Sequence, residues 1–173
     1  MRALPVTVTA AFAALLLLTA CDDGTPAEGK GKAEDRKPAA CETGQVRLEA
    51  GPASTAPADG DTGEVPVTVL NEGGTCVLAG TPEVFLAGAS DSETVEVPLT
   101  EGARPQEITL AEGETTSFVV TYVRGTSFNP ADLHFAVASG PETKKIPWTY
   151  GGIAPTEDGG YEMSVSPYQQ TGD

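Results

Sequence analysis

Apolar residues recur at every second position through most of this chain, and this two-residue period is the feature that most restricts its fold. Successive side chains of a β-strand point to opposite faces of a sheet, so a period of two predicts strands with one buried face. No window beyond the N-terminal leader combines helical spacing of apolar residues with a helix cap. The alternating residues are Val46 and Leu48, then Val65, Val67 and Val69, Val84 and Leu86, Val95, Val97 and Leu99, Ile108 and Leu110, Phe118, Val120 and Tyr122, Leu133, Phe135 and Val137, Ile146, Trp148 and Tyr150, and finally Tyr161, Met163 and Val165.

Turn residues separate these segments at intervals of about ten residues. Examples are Asn71-Glu-Gly-Gly74 and Ala111-Glu-Gly-Glu114, which combine glycine with a short polar or charged side chain. Seven to nine short strands with this spacing are typical of an antiparallel sandwich. We therefore predict an all-β fold, an immunoglobulin-like antiparallel β-sandwich, although a small barrel would give a similar pattern.

The first twenty residues have a different character. A basic start, Met1-Arg2, precedes an uncharged apolar run over 6–18. A membrane-spanning helix needs ~20 apolar residues, so this run is too short to span but suits the core of a signal peptide. The run ends in Leu18-Thr-Ala-Cys21, which resembles the bacterial lipobox, where cleavage precedes a cysteine that takes a diacylglyceryl group. We predict a cleaved signal helix over 1–20 and lipidation of Cys21. The alternative is an ordinary cleaved signal followed by an incidental cysteine.

Composition divides the remainder of the chain. Residues 21–40 are Gly, Ala, Pro and mixed charge without an apolar period, which indicates a disordered tether. The predicted sandwich domain covers 41–168, and 169–173 form a C-terminal tail. Lipid on Cys21 would anchor the domain to the outer face of the cytoplasmic membrane, in the extracellular space.

The charge of the chain is concentrated in the predicted domain. The net charge is −15, and 20 carboxylates face only five Lys and Arg beyond residue 40. Such a surface repels the phosphates of nucleic acids and of anionic lipids, so the predicted membrane contact is the lipid anchor alone. The acidic surface fits either a site for a cation or cationic partner, or simply a well-solvated exterior.

Two cysteines remain once Cys21 is assigned to lipid. In an oxidising compartment, an even pair such as Cys41 and Cys76 indicates a structural disulfide. A metal pair or a redox thiol is the alternative, but the chain has no CxxC motif, and its one histidine is distant in sequence from both cysteines.

One stretch of sequence resembles a known family. The segment Asn71-Glu-Gly-Gly-Thr-Cys76-Val-Leu-Ala-Gly80-Thr-Pro82, followed by Ile108-Thr-Leu-Ala-Glu-Gly113, is similar to domain of unknown function 4232. That family occurs mostly in secreted proteins and lipoproteins of high-GC Gram-positive bacteria. The resemblance covers about 41–167 and departs at Thr81, where the family often has an aromatic residue. It implies a β-sandwich with a bridge between Cys41 and Cys76, and it implies no reaction.

Few residues are candidates for chemistry. His134 alternates out of phase with the apolar residues of its strand, which predicts a solvent-facing histidine without a catalytic triad around it. Asp59-Gly-Asp61-Thr-Gly63-Glu64 looks like the start of a calcium loop, but Glu64 stands where the EF-hand needs glycine. Too few His, Met and Cys remain for a copper or zinc site, so no cofactor is expected.

Trp148 and Tyr150 share a predicted strand face with Ile146, directly after the basic pair Lys144-Lys145. They would fill the core if that face is buried, and they are a candidate ligand patch if it is exposed.

Together these observations favour a non-enzymatic, membrane-anchored binding module that meets an exported protein or a cell-wall component. Two alternatives remain open. One is a wall-active hydrolase with carboxylate catalysis, and the other is a calcium-binding surface module.

Overall fold

The computed structural model of the protein describes residues 37–56, 58–89, 93–137 and 142–170. The predictions of a signal peptide, of a lipidated Cys21 and of most of the tether fall outside these residues, as does the end of the tail. What is described belongs to one compact unit, Arg36–Asp173.

The described chain is almost entirely β-structure. A short 3-10 helix, Thr43–Gln45, precedes β1 (Val46–Ala50), β2 (Thr62–Asn71), β3 (Cys76–Leu78), β4 (Glu83–Gly88), β5 (Thr94–Glu96), β6 (Ile108–Leu110), β7 (Thr115–Phe128), β8 (Pro130–Ala136), β9 (Lys144–Pro147), β10 (Met163–Val165) and β11 (Gln169–Gln170).

The first sheet has the order β1-β2-β7-β10, and β11 also pairs with β7. All of its pairings are antiparallel, with Val65 opposite Val120 and Val67 opposite Phe118. Directly paired residues share one face, so the alternating valines of β2 and the aromatics of β7 bury the same side of the sheet. Pro66 is tolerated inside β2 because its backbone points toward the end of β1, where its carbonyl accepts the Gly51 N–H at 2.8 Å.

The second sheet has the order β5-β4-β8-β9, and its strands are again antiparallel. It faces the first sheet across a shared core in which Phe118 of β7 stacks on Phe135 of β8, with ring centroids 5.5 Å apart. A two-stranded sheet, β3-β6, completes the strand pairings.

The two lateral sides of the sandwich differ. On one side the chain beyond β5 crosses from the second sheet to the first. There the Val165 N–H donates to the Pro98 carbonyl, and the Val165 carbonyl accepts the Thr100 N–H. On the other side β1 and β9 are edge strands of different sheets. Lys144 of β9 pairs with the buried Phe135, so it lies on the core-facing side of an exposed edge. Inward-facing lysines of this kind discourage pairing with a foreign strand.

Tyr122 organises the core at the middle of β7. Its ring packs edge-on against Trp148, and its hydroxyl donates a 2.6 Å hydrogen bond to the Tyr150 carbonyl. Gly63 lies directly opposite, and a Cβ on Gly63 would stand 2.5 Å from the Tyr122 ring. The ring therefore requires glycine at this position of β2.

Tyr168 fills the core beside Phe118 after the chain leaves β10. Burial of the phenol, with a smaller contribution from the nearby Glu83 carboxylate, raises the pKa of Tyr168 well above that of a free tyrosine. The hydroxyl therefore stays protonated in the folded domain at pH values where an exposed tyrosine ionises.

The all-β antiparallel sandwich predicted from the two-residue period is confirmed. The prediction of seven to nine strands missed β3, whose three residues are all buried and give no alternation, and the two-residue β11. It also carried one strand through Trp148 and Tyr150, whereas β9 ends at Pro147. Proline has no N–H to continue the ladder, although Trp148 still donates its N–H to the Ala131 carbonyl.

Candidate ligand-binding groove

An open groove of about 550 Å³ lies beside the crossing between the two sheets. This volume is within the usual range of roughly 300–1,000 Å³ for sites that hold small ligands. Its lining is mainly apolar and comes from three segments, β5 with the residues after it, the turn before β10, and the start of β10. The lining residues are Val95, Glu96, Pro98, Thr156, Gly160, Tyr161 and Met163.

The crossing of the chain explains why there is a gap here. β5 is only three residues long, and directly after it Val97 is still bonded to Val84 of β4 whereas Pro98 already bonds to Val165 of β10. Because the chain leaves one sheet for the other at this point, a gap remains beside it, and the largely buried Met163 lines that gap.

A tight turn forms the opposite wall. The Thr156 N–H donates to the Gly160 carbonyl, and the Thr156 hydroxyl accepts the Gly160 N–H at 2.8 Å. Gly159 has a φ of 86°, a left-handed conformation that suits glycine. These two hydrogen bonds fix the turn, and Tyr161, the residue directly after it, lines the groove.

Tyr161 is the aromatic side chain among the residues that line the groove. Its ring packs on the buried Phe128 with centroids 5.0 Å apart, and its hydroxyl donates to Glu93 Oε1 at 2.7 Å. The hydrogen bond to Glu93 is the main cause of a raised Tyr161 pKa, with partial desolvation and the Glu93 charge adding to it. The hydrogen bond therefore holds the Glu93 side chain beside the groove.

Two smaller grooves are also present in the described chain. One, of about 330 Å³, lies beside Tyr168 and β11. The other, of about 280 Å³, lies between the edge strands β1 and β9 and is lined by Arg47, Lys144 and Lys145 together with Glu72. In this second groove Arg47 and Glu72 form an ion pair at 2.9 Å, so part of its charge is already neutralised.

The predicted ligand patch is only partly accessible. Trp148 is 6% exposed, packs edge-on against Tyr122 and Tyr150, and donates its indole N–H to the Gly151 carbonyl at 2.7 Å. Trp148 thus fills the core, while Tyr150 is half-buried. A role in ligand contact for this pair stays a prediction, and only Tyr150 offers appreciable surface for it.

The disulfide between Cys41 and Cys76 is present, and hydrogen bonds within the fold hold the Asn71–Gly74 turn beside it. Asn71 is fully buried, and its amide donates to the carbonyls of Gly74, Leu110 and Ala111 while its carbonyl oxygen accepts the Gly73 N–H. Every polar atom of this side chain is thus used inside the fold. The corner holds β2, β3 and β6 together and leaves no polar group of Asn71 for a ligand.

The other candidate residues lie far apart. His134 is half-buried on β8, opposite Phe85 and Lys145 of the neighbouring strands. In the acidic loop, the Asp61 carboxylate accepts the Ala58 N–H, and Asp59 lies 3.9 Å from the Arg124 guanidinium. Within the described ranges, no group of three or more His, Cys, Asp or Glu side chains is placed to hold a metal ion.

Sequence reasoning missed the groove because its parts are distant in the chain. The two-residue period indicates only that Val95 and Tyr161 are strand residues, and the Glu93–Tyr161 hydrogen bond joins residues 68 positions apart. The one available signal was the glycine-rich acidic turn before Tyr161, Thr156-Glu-Asp-Gly-Gly160, which marks a tight corner next to an aromatic residue.

The part of the chain that the structure describes contains no helix long and apolar enough to cross a membrane. No curated protein and no solved structure matches the chain. A family model does match it, over residues 41–169, which is nearly all of the sandwich and includes both bridged cysteines. The protein therefore belongs to the family described as Domain of unknown function (DUF4232).

Proposed function

We propose that this protein is an extracellular lipoprotein, anchored to the membrane through Cys21, whose sandwich domain binds a ligand in the groove beside Tyr161. The proposal is for a binding function without catalysis. The observation that carries it is the groove itself, a concave and mostly apolar surface with a fixed aromatic and two carboxylates, Glu93 and Glu96, beside it.

The position of the groove supports this role. The described chain enters the domain at Lys37–Cys41, where Cys41 and Ala39 bond to Val77 of β3. That entry lies at the same end of the sandwich as Asn71. The Asn71 N–H donates to the carbonyl of Glu114, the residue directly before β7. Met163 of the groove pairs with Tyr122, eight residues further along the first sheet. At ~3.3 Å per strand residue, the groove lies roughly 26 Å from the entry end. A ligand there lies far from residues 37–41, where the described chain enters the domain.

The anchor is tested on the full chain in its membrane. Intact-mass analysis of the membrane fraction should find a mature chain that begins at Cys21 and carries fatty acyl mass. The Cys21→Ala variant should carry no fatty acyl mass. A mature chain that retains Met1, or that has no acyl mass on Cys21, contradicts the anchor.

Binding is tested with two matched substitutions. Val95 in the groove and Val119 on the outer face of the first sheet are both half-buried valines on strands. The full chain carrying Cys21→Ser, and therefore without acyl chains, is incubated with cell-wall fragments and exported proteins. The Val95→Lys variant should lose the retained material, whereas the Val119→Lys variant should retain as much as the parent.

Equal retention by both lysine variants would show that binding does not use the groove. A parent protein that retains nothing would contradict the binding function itself.

A further inference from the structure

We propose that the groove selects a primary ammonium group on an unbranched alkyl stem, as in a lysine-type side chain of a peptide. This inference rests on the proposed function, and it specifies the class of ligand that the groove accepts. Three features of the groove support it, an apolar lining, an aromatic ring and an excess of carboxylates.

The apolar lining fits the stem. Val95 and Pro98 offer aliphatic surface along the groove, and the largely buried Met163 also lines it. A chain of four methylenes that leaves water gains roughly 0.8 kcal/mol per buried CH₂. Since the groove is open, only part of this gain is realised, and a ligand must add a polar interaction to be held.

The aromatic ring and the neighbouring carboxylates provide that interaction. The ring of Tyr161 is backed on one side by Phe128 and lines the groove, so it is available to a cation within cation–π distance. Glu93 receives one hydrogen bond from the Tyr161 hydroxyl. A carboxylate offers about four lone-pair positions, so Glu93 can accept an ammonium N–H as well.

The charge around the groove favours a cation over an anion. Glu96 lines the groove, and the turn that forms its wall places Glu157 and Asp158 between two lining residues. No Lys, Arg or His is among the lining residues of this groove. An anionic ligand would meet like charges, whereas an ammonium, with a pKa near 10.4 and therefore charged at neutral pH, would be attracted.

The contrast with the groove between β1 and β9 strengthens the argument. Three of the five Lys and Arg beyond residue 40, namely Arg47, Lys144 and Lys145, line that second groove. Arg124 is engaged elsewhere, donating to the Ala56 carbonyl at 2.8 Å. The residues that line the Tyr161 groove therefore include a carboxylate, Glu96, and no basic side chain that would neutralise its charge.

The test compares probes that share one stem. Nα-acetyl-lysine-N-methylamide is compared with the norleucine analogue, which lacks only the amine, and with the α-aminoadipate analogue, which ends in a carboxylate. Binding to the full chain carrying Cys21→Ser is measured by ligand-observed NMR at low ionic strength. We expect the lysine probe to bind at least fivefold more tightly than the norleucine probe, and the aminoadipate probe to bind more weakly than either. Raising the salt concentration from 0.05 to 0.5 M should narrow the difference, because exposed charges are screened.

Three substitutions locate the effect. Glu96→Gln should weaken the lysine probe about fivefold and leave the norleucine probe unchanged. Tyr161→Leu keeps an apolar side chain but removes the ring, so it should also reduce the preference for the amine. Glu112→Gln is the matched control, because Glu112 is an exposed glutamate in the turn before β7, at the other end of the sheet.

The possible results distinguish the preference for a lysine-type ligand from the proposed binding function on which it rests. Equal binding of the lysine and norleucine probes, lost on Val95→Lys, would overturn the preference for a cation and leave a groove that binds apolar ligands. If no probe binds while the parent protein still retains wall material through Val95, the lysine-type ligand is wrong and the binding function stands. Glu112→Gln acting as strongly as Glu96→Gln would show a general charge effect and would also overturn the inference.

Discussion

Removing the Cys41–Cys76 disulfide should cost this domain a large part of its stability. The bridge joins residues 35 apart, so it closes a loop of 36 residues. On the chain-entropy model, a loop of this length restricts the unfolded chain by about 4 kcal/mol at 25 °C. Replacing both cysteines by alanine also deletes two buried sulfurs, each about as large as a methyl group, and each deletion adds up to about 1 kcal/mol. We therefore expect Cys41→Ala/Cys76→Ala to lower the free energy of unfolding by about 4–6 kcal/mol.

The same loss of stability can be expressed as a fall in the melting temperature of the disulfide-free variant. A domain of this size has an unfolding entropy of about 0.27 kcal/mol/K, so a loss of about 4 kcal/mol corresponds to a fall of about 15 °C. Unfolding is followed by tryptophan fluorescence, which reports on one site because Trp148 is the only tryptophan and is buried. Urea and thermal unfolding are measured with and without reductant.

Reductant supplies the internal control. The wild-type protein should fall toward the stability of the double variant when reduced, and the double variant should not respond. A loss below about 1 kcal/mol would refute the argument that this bridge restricts the unfolded chain. So would a reductant effect of equal size on both proteins.

Three further changes test other parts of the fold. Gly63→Ala should destabilise the domain by about 2–4 kcal/mol in urea unfolding, because the new methyl group overlaps the hydrogen-bonded Tyr122 ring. Gly74→Ala, which meets nothing within 4 Å, should change stability by less than about 1 kcal/mol, and similar losses for the two would contradict the packing explanation. The raised pKa of Tyr168 means that the unfolded chain releases this proton first as pH rises above about 10. Stability should therefore fall there by up to about 1.4 kcal/mol per pH unit more steeply than in Tyr168→Phe, and parallel pH profiles would contradict that pKa shift. Lys144→Val should promote self-association at high concentration, measured by light scattering, and a variant as monodisperse as wild type would show that this lysine does not protect the edge.

The regular strands were predictable because their burial follows directly from position. In β2 the valines at 65, 67 and 69 are fully buried and the residues between them are not, so one pattern determines the strand, its register and its inner face. His134 was placed on the outer side by the same argument, and it is in fact half-buried between two neighbouring strands. Alternation indicates which face a residue occupies, but it does not show how far neighbours cover that face.

Features that depend on where the chain changes direction were not predictable. Nothing in the sequence of Val95-Glu-Val97-Pro98 indicates that three residues pair with one sheet and the next few with the other. The groove exists only because of that change, so neither its location nor the pairing of Glu93 with Tyr161 could follow from a local pattern. The two-residue period describes each strand, whereas the groove is a property of the space between strands.

The positions of the disulfide and of the groove imply that stability and ligand binding can be altered separately. Cys76 pairs with Leu110 beside the buried Asn71, at one end of the sandwich, whereas Met163 pairs with Tyr122 near the other end. Sites separated by more than about 10 Å without shared partners usually act additively, and roughly 26 Å of sheet separates these two. The disulfide-free domain should therefore keep its preference for the lysine probe at temperatures where it remains folded. If the disulfide-free protein stays folded but loses this preference, the bridge helps to position the groove through β7. The two sites would then be energetically coupled and their effects would not be additive.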